Sequence, residues 1–130
     1  MGACNVDLTK DTRKYTQTYA LNDATGVKAL LRDRHRIAAR RFKGDTAASD
    51  ILIDLHSAIE SSGMTERQAE AIALVYGMDV TQKTAADVMG IAQKNVSEYV
   101  DIAAERIAAV YVRWDYGEVS VELEEEESDD

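Results

Sequence analysis

The feature that most constrains the fold is a long amphipathic segment in the last third of the chain. Its apolar residues recur at intervals of four and three positions, at Val96, Val100, Ala103, Ile107, Val110 and Trp114. This period is typical of a helix with a single apolar seam. The pattern therefore predicts a helix from about Gln93 to Trp114, ended by Gly117, whose seam must be covered by another element.

Two helices are predicted between residues 24 and 63. Apolar residues at helical spacing run from Ala24 to Phe42, and a second stripe follows Asp45 and Thr46, either of which suits an N-cap. This second stripe offers three large apolar residues to the seam of the last helix: Leu52, Leu55 and Ile59. We expect the seam to be covered in this way within one chain. The alternative is a homodimer through the last helix.

Two further helices are predicted between Thr65 and Gly90. Gln68 completes a capping box with Thr65, in which each side chain accepts a hydrogen bond from the backbone N–H of the other residue. The apolar face of this third helix is expected to comprise Ala69, Ile72, Val75 and Tyr76. Thr81 then caps a short fourth helix, which Gly90 ends.

The short fourth helix and the start of the last one have the spacing of a helix-turn-helix. Two helices that cross steeply need a small residue at their contact, a residue that accepts positive φ in the turn, and an aliphatic residue that fills the gap. Ala86, Gly90 and Val96 meet these requirements in order. An ordinary helical hairpin with a glycine cap has similar spacing, but the amphipathic frame favours a DNA-binding helix-turn-helix over residues 81–101.

The outward residues of this unit are chemically suited to DNA. Amide side chains can pair with adenine in the major groove, lysine can reach guanine or a phosphate, and the first N–H groups of a helix favour phosphate. The residues predicted to contact DNA are Thr81, Gln82, Lys83, Ala92, Gln93, Lys94, Asn95, Ser97 and Glu98. Because Lys94 is the only basic residue of the last helix before Arg106, this unit alone should bind DNA weakly.

The net charge of −9 is unevenly distributed along the chain. Residues 118–130 contain eight acidic residues and no basic one, whereas residues 1–117 contain fifteen basic and sixteen acidic residues. Residues 28–43 carry seven basic residues against Asp33 alone. This segment is a solvated helix face, a surface for nucleic-acid phosphates, or a partner for the acidic tail of the same chain. The side chains predicted as phosphate contacts are Arg32, Arg36, Arg40, Arg41, Lys43 and Arg67.

These patterns predict an all-α protein of about five helices, with a C-terminal helix-turn-helix and a long last helix. We divide the chain into an irregular N-terminal segment (1–23), a helical part with the basic helix (24–63), the helix-turn-helix part (64–117) and an acidic disordered tail (118–130). Within the tail, an alternating patch allows a short added strand at Val119, Val121 and Leu123.

Residues 64–113 resemble the fourth region of bacterial sigma factors, which reads the −35 promoter element. The matching pieces are T-E-R-Q from Thr65, the helix that ends in Tyr76 and Gly77, the T-Q-x-x-A-A-x-x-M-G-I unit from Thr81, and N-V-S from Asn95. In size and in the position of this module, the chain is similar to phage-encoded sigma-like regulators. The resemblance implies a transcription regulator that contacts double-stranded promoter DNA and bacterial RNA polymerase.

Other classes of function find no support in the sequence. No apolar stretch is long enough to span a membrane and no secretory signal is found, so a cytoplasmic location in a bacterial host is expected. The single cysteine, Cys4, cannot form an internal disulfide, and His35 and His56 have no partners at metal-ligand spacing. Since no catalytic grouping of side chains can be identified, we expect neither enzyme activity nor a cofactor or metal.

Two other functions fit the same pattern. A phage DNA-packaging component similar to a small terminase subunit would also combine a helix-turn-helix with oligomerising helices, although its helix-turn-helix usually lies near the N-terminus. A polymerase-binding interaction module could keep the fold without binding DNA. The few basic residues near the recognition helix are consistent with this last alternative.

Overall fold

The computed structural model describes residues 14–41 and 43–124. In this part of the chain it contains six α-helices and a two-stranded antiparallel sheet. The chain is therefore mostly helical, as predicted, but the sheet departs from the predicted all-α class. In chain order the elements are β1 (Lys14–Ala20), α1 (Ala24–Arg32), α2 (Arg34–Arg41), α3 (Thr46–Ser61), α4 (Glu66–Ile72), α5 (Gln82–Met89), α6 (Gln93–Arg113) and β2 (Glu118–Glu124). Helix α4 continues as one π-helical turn, Ala73–Gly77.

The helix starts follow the predicted caps. At the start of α3, the Asp45 side chain accepts a hydrogen bond from the Ala48 N–H at 3.1 Å. At the start of α4, the Thr65 hydroxyl accepts from the Gln68 N–H at 3.2 Å, and the Gln68 amide oxygen accepts from the Thr65 N–H at 3.0 Å, which confirms the capping box. These side chains satisfy N–H groups that the first turn of a helix leaves without partners.

The prediction of one helix from Ala24 to Phe42 is wrong, because the chain forms two helices that break at Asp33. Phe42 itself lies outside the described residues. Asp33 is 8% exposed, and its carboxylate accepts a 2.7 Å hydrogen bond from the phenol of Tyr19 on β1. Burial raises the pKa of Tyr19 and the hydrogen bond to Asp33 raises it further, so the phenol keeps its proton. The helix ends where this carboxylate turns toward the strand, at a backbone φ of −92° and ψ of 6°.

Residues 14–20 and 118–124 pair as antiparallel strands, where the sequence predicted an irregular segment and a disordered tail. The short added strand that the sequence allowed at Val119, Val121 and Leu123 is thus present as part of β2. The register pairs residue 14 with residue 124 and residue 20 with residue 118. The hydroxyls of Thr18 and Ser120, 102 positions apart, lie 3.0 Å from each other on the polar face. The core-facing side chains of the pair are Tyr19, Val121 and Leu123. Residues 1–13, with Cys4, and residues 125–130 lie outside the described part.

Helix α6 lies at the centre of the fold and contacts α1, α3, α4 and α5. Five residues of its predicted seam are buried: Val96, Val100, Ala103, Ile107 and Val110. The seam is therefore covered within the chain, as expected, but α1, α4 and α5 contribute more to the cover than the predicted stripe on α3 does. The sixth seam residue, Trp114, is 40% exposed and lies just beyond the helix, which ends before Gly117 because the backbone turns at Asp115 with a φ of 57°.

The buried face of α4 differs from the predicted one. Ala69 is exposed, whereas Gln68 and Ala71 are buried together with Ile72. Gln68 faces inward because its amide is held by the capping box. Apolar periodicity gives no signal for a buried polar residue of this kind.

Among the described residues, no helix is both long and apolar enough to cross a membrane.

Gly26 in α1 lies against the end of β1. A Cβ atom at this position would lie 1.9 Å from the backbone carbonyl oxygen of Ala20, so the helix and the strand would have to move apart. We expect Gly26→Ala to lower the free energy of unfolding by about 3 kcal/mol, as measured by urea denaturation. Gly77→Ala is the matched control, since a Cβ there would meet nothing within 4 Å. Equal stability of the two variants would contradict the close approach of α1 to β1.

Strand β2 contributes two buried side chains, Val121 and Leu123, to the core. Deleting residues 118–130 removes Val121 and Leu123 from the core, and we expect it to cost about 4 kcal/mol, because burying each side chain stabilises by about 1.5–3 kcal/mol. Deleting only residues 125–130 keeps the strand and should change stability by less than about 0.5 kcal/mol. Urea unfolding of the full chain and both truncated chains tests this difference, and equal losses would show that β2 adds no stability.

Candidate nucleic-acid interface

The predicted helix-turn-helix consists of α5, a turn formed by residues 90–92 and the start of α6. Helix α5 begins as predicted, because the Thr81 hydroxyl accepts a hydrogen bond from the Thr84 N–H at 3.1 Å. Ala86 and Val96, the residues predicted at the contact between the two helices, are 4% and 0% exposed. The two helices pack against each other along this buried side.

The turn has the predicted left-handed residue. Gly90 adopts a φ of 71° and a ψ of 34°. Its N–H donates to the Asp87 carbonyl at 3.3 Å, and the Ile91 N–H donates to the Ala86 carbonyl at 3.1 Å. Together these two bonds form a Schellman motif, which satisfies carbonyl groups at the end of α5. The direction of α6 relative to α5 is thus fixed by backbone hydrogen bonds that need positive φ at one position.

The outward side of the unit has a shallow, open depression of about 470 Å³. Four of the predicted DNA contacts line it together: Gln82 from α5 and Gln93, Lys94 and Ser97 from α6. The N-cap of α6, Ala92, forms no side-chain capping bond, so the first N–H groups of this helix have no side-chain partner at the cap. Both helices therefore contribute polar side chains to one accessible surface.

The other predicted DNA contacts differ in exposure. Thr81, Lys83 and Glu98 are exposed, whereas Asn95 is half-buried and has less reach toward a groove. The exposed charges on this unit include Asp87 and Glu98 as well as two lysines. This surface is consequently close to neutral, in contrast to the strongly basic surfaces that bind phosphates through charge alone.

Basic side chains of helix α2, and Lys43 just after it, contact the end of strand β2. Arg36 donates to the backbone carbonyl of Glu124 at 2.9 Å, and Lys43, just after the helix, forms an ion pair with the Glu124 carboxylate at 2.7 Å. Arg40 lies 3.5 Å from the same carboxylate and 3.6 Å from Asp45, with its side chain only 14% exposed. Three of the predicted phosphate contacts thus bind the end of β2. This agrees with the alternative that the basic segment pairs with the acidic tail of the same chain.

The three remaining phosphate candidates lie in different places. The Arg32 side chain is 69% exposed and 3.5 Å from Asp33, and Arg41 is exposed with no partner among the described residues. Arg67 on α4 donates to the Met89 carbonyl at 3.0 Å and pairs with Glu70 at 2.9 Å. Arg67 is thus a positioning residue that ties α4 to the end of α5, a role that no local sequence pattern indicates.

The histidines form no metal site in the described part of the chain. His56 lies 3.3 Å from Glu60, one helical turn away, and both side chains are largely exposed. Within residues 14–41 and 43–124, no group of three or more histidine, cysteine or acidic side chains is arranged to hold a metal ion.

No protein-family model matches the chain, and no curated protein or solved structure is significantly similar to it. The resemblance to the fourth region of sigma factors consequently stays a prediction from the motif in residues 64–113.

The turn offers a direct test of the helix-turn-helix. Replacing Gly90 by Val places a β-branched residue at a φ of 71°, and we expect a loss of about 2–3 kcal/mol from backbone strain. Gly90→Asn should cost less, because asparagine adopts the left-handed conformation more readily. Thermal unfolding of the three proteins measures the order. A melting temperature of the valine variant equal to that of the wild type would rule out this turn geometry.

Proposed function

We propose that this protein is a sigma-factor-like transcription regulator that binds promoter DNA through α5 and the start of α6, and that RNA polymerase is its protein partner. The observation that carries the proposal is the shared depression in which Gln82, Gln93, Lys94 and Ser97 lie together on the outer side of a helix-turn-helix. The resemblance of residues 64–113 to the promoter-reading region of sigma factors supports the same assignment.

The chemistry of these side chains matches the edges of bases in the major groove. The exposed side-chain amide of Gln93 can donate through its NH2 group to N7 of adenine, while its oxygen accepts from the N6 amino group, in the bidentate geometry used by glutamine. The ammonium of Lys94 can donate to O6 and N7 of guanine or to a phosphate. Thr81, Gln82 and Lys83 lie at the start of α5, where backbone N–H groups favour a phosphate. Base reading is thus assigned to α6 and positioning to α5.

The near-neutral charge of this surface supports a role for a protein partner. The exposed Lys83 and Lys94 are matched in number by the exposed Asp87 and Glu98 on the same unit, so few counterions would be released when DNA binds. With two phosphate contacts, the salt dependence of binding would have a log–log slope of only about −2. Binding to RNA polymerase would raise the effective concentration of DNA at the helix-turn-helix and would compensate for weak intrinsic affinity.

The function is tested by selecting from random duplexes with the host RNA polymerase present and then comparing variants on the recovered site. Gln93→Ala should relax the preference at one base position by about 1–3 kcal/mol while leaving thermal stability unchanged, because the side chain is exposed. Gln17→Ala, the same change in β1, is the control and should preserve the preference. An unchanged preference in the Gln93 variant would remove this residue from base reading.

A second candidate function follows from the charge balance on α5 and α6. The exposed Asp87 and Glu98 would also suit a module that binds polymerase and makes no contact with DNA. In that case the selection recovers no preferred sequence, with or without polymerase, whereas polymerase is still retained by the immobilised protein.

A further inference from the structure

The apolar stripe on α3 is only partly covered by α6. Leu55 is 2% exposed, but Leu52 and Ile59 on either side of it are half-buried. These three residues line a cavity of about 310 Å³ between α2 and α3, together with Arg34, His35, Ala38 and His56. The part of the stripe that the long helix leaves open thus forms the apolar floor of a groove.

A second cavity lies next to this groove, on the side of α4. It has a volume of about 230 Å³ and is lined by apolar side chains that include Met64, Ile72 and Tyr76. Arg34 and Ile59 line both cavities, so the two are adjacent. We name the two cavities together the α3 trough. Along α3 alone it follows two helical turns, a length of about 10 Å from residue 52 to residue 59.

The charge of the α3 trough is opposite to that of the chain as a whole. The protein has 24 acidic residues and a net charge of −9, yet within residues 14–41 and 43–124 no acidic side chain lines either cavity. Arg34 lies where the cavities join and has no partner among the described residues, unlike Arg36 and Arg40 on the same helix, which contact Glu124. An apolar floor beside an unpaired guanidinium suits a ligand that is apolar on one side and carries carboxylates next to that side.

We infer that the α3 trough binds an amphipathic helix of a partner protein, with carboxylates flanking its apolar face. An elongated groove accepts apolar side chains spaced at i, i+3 or i+4, and i+7, as in other helix-in-groove complexes. A carboxylate one turn from these anchors would pair with Arg34. The sequence of residues 125–130 of this chain contains no apolar residue that could fill the floor.

This inference goes beyond the proposed function and does not depend on it. The described residues that line the α3 trough lie between positions 31 and 77, and none of them belongs to the predicted DNA contacts at positions 81–98. The partner helix and DNA therefore use different side chains. One chain could hold both ligands at the same time.

Two synthetic peptides of about 18 residues test the inference, since shorter helices are marginally stable in water. Both carry leucine at the i, i+3, i+4 and i+7 positions of one face; one has glutamate beside this face and the other has lysine. Their affinities for the full chain are measured by fluorescence anisotropy, and the binding surface is mapped by amide chemical shifts. We expect the glutamate peptide to bind at least about tenfold more tightly, with shifts at residues 34–59.

Variants of the full chain separate the role of Arg34 from general charge effects. Arg34→Glu should abolish or invert the preference between the peptides, and Arg34→Gln should reduce it while disturbing the fold less. Arg41→Glu makes the same charge change at an exposed position of α2 outside the trough and should leave the preference intact. The inference is overturned if both peptides bind equally, if Arg34→Gln keeps the full preference, or if the shifts map to residues 81–98. A change of oligomeric state in Arg34→Glu would instead assign the trough to a second copy of the chain.

Discussion

The burial of one side of α6 is the constraint on which the rest of the structure depends. Ala103, Ala104 and Ile107 are 0% exposed, and the small side chains allow neighbouring helices to approach closely. An ion pair between Lys28 and Asp101 adds a polar link from α1 to the same helix. The first turns of α6 carry the candidate DNA-facing residues, and its later turns form the core. The candidate DNA-facing residues thus lie on a helix whose position is set by packing along most of its length. A binding site needs a rigid support of this kind to hold its side chains in place.

Local chemistry explains which parts of the fold could be predicted from the sequence. The caps at Thr65 and Thr81 act on N–H groups three residues away, and Gly90 acts on its own backbone, so their effects are visible in a short stretch of sequence. The break at Asp33 and the sheet depend on distant partners instead. A strand is stable only when another strand covers its edge, and in β1 and β2 the paired residues Thr18 and Ser120 are 102 positions apart.

The same distinction holds within the candidate site. The grouping of Gln82 with Gln93 and Lys94 follows from helical spacing and one turn, which is why the sequence could place them on a common surface. The interaction partners of the basic side chains could not be predicted in this way. Glu124 is 81 positions from Lys43, and a count of charges does not tell whether a guanidinium meets a phosphate or a carboxylate of its own chain. Only the folded arrangement shows that α2 uses its charge to hold a strand.

The pairing of β1 with β2 also has a consequence for the order in which the protein is made. Protein synthesis proceeds from the N-terminus, and segments begin to fold as they emerge. All residues of helices α1 to α6, and so of the candidate DNA-binding surface, are synthesised before residue 118 is added. Strand β1 can pair along its whole length only after residue 124 has been added. A chain truncated before residue 118 therefore carries the candidate DNA-binding surface on a fold whose first strand is unpaired, and unpaired segments are where proteases cut. The strand pair thus makes the exposure of β1 depend on whether the chain extends through residue 124.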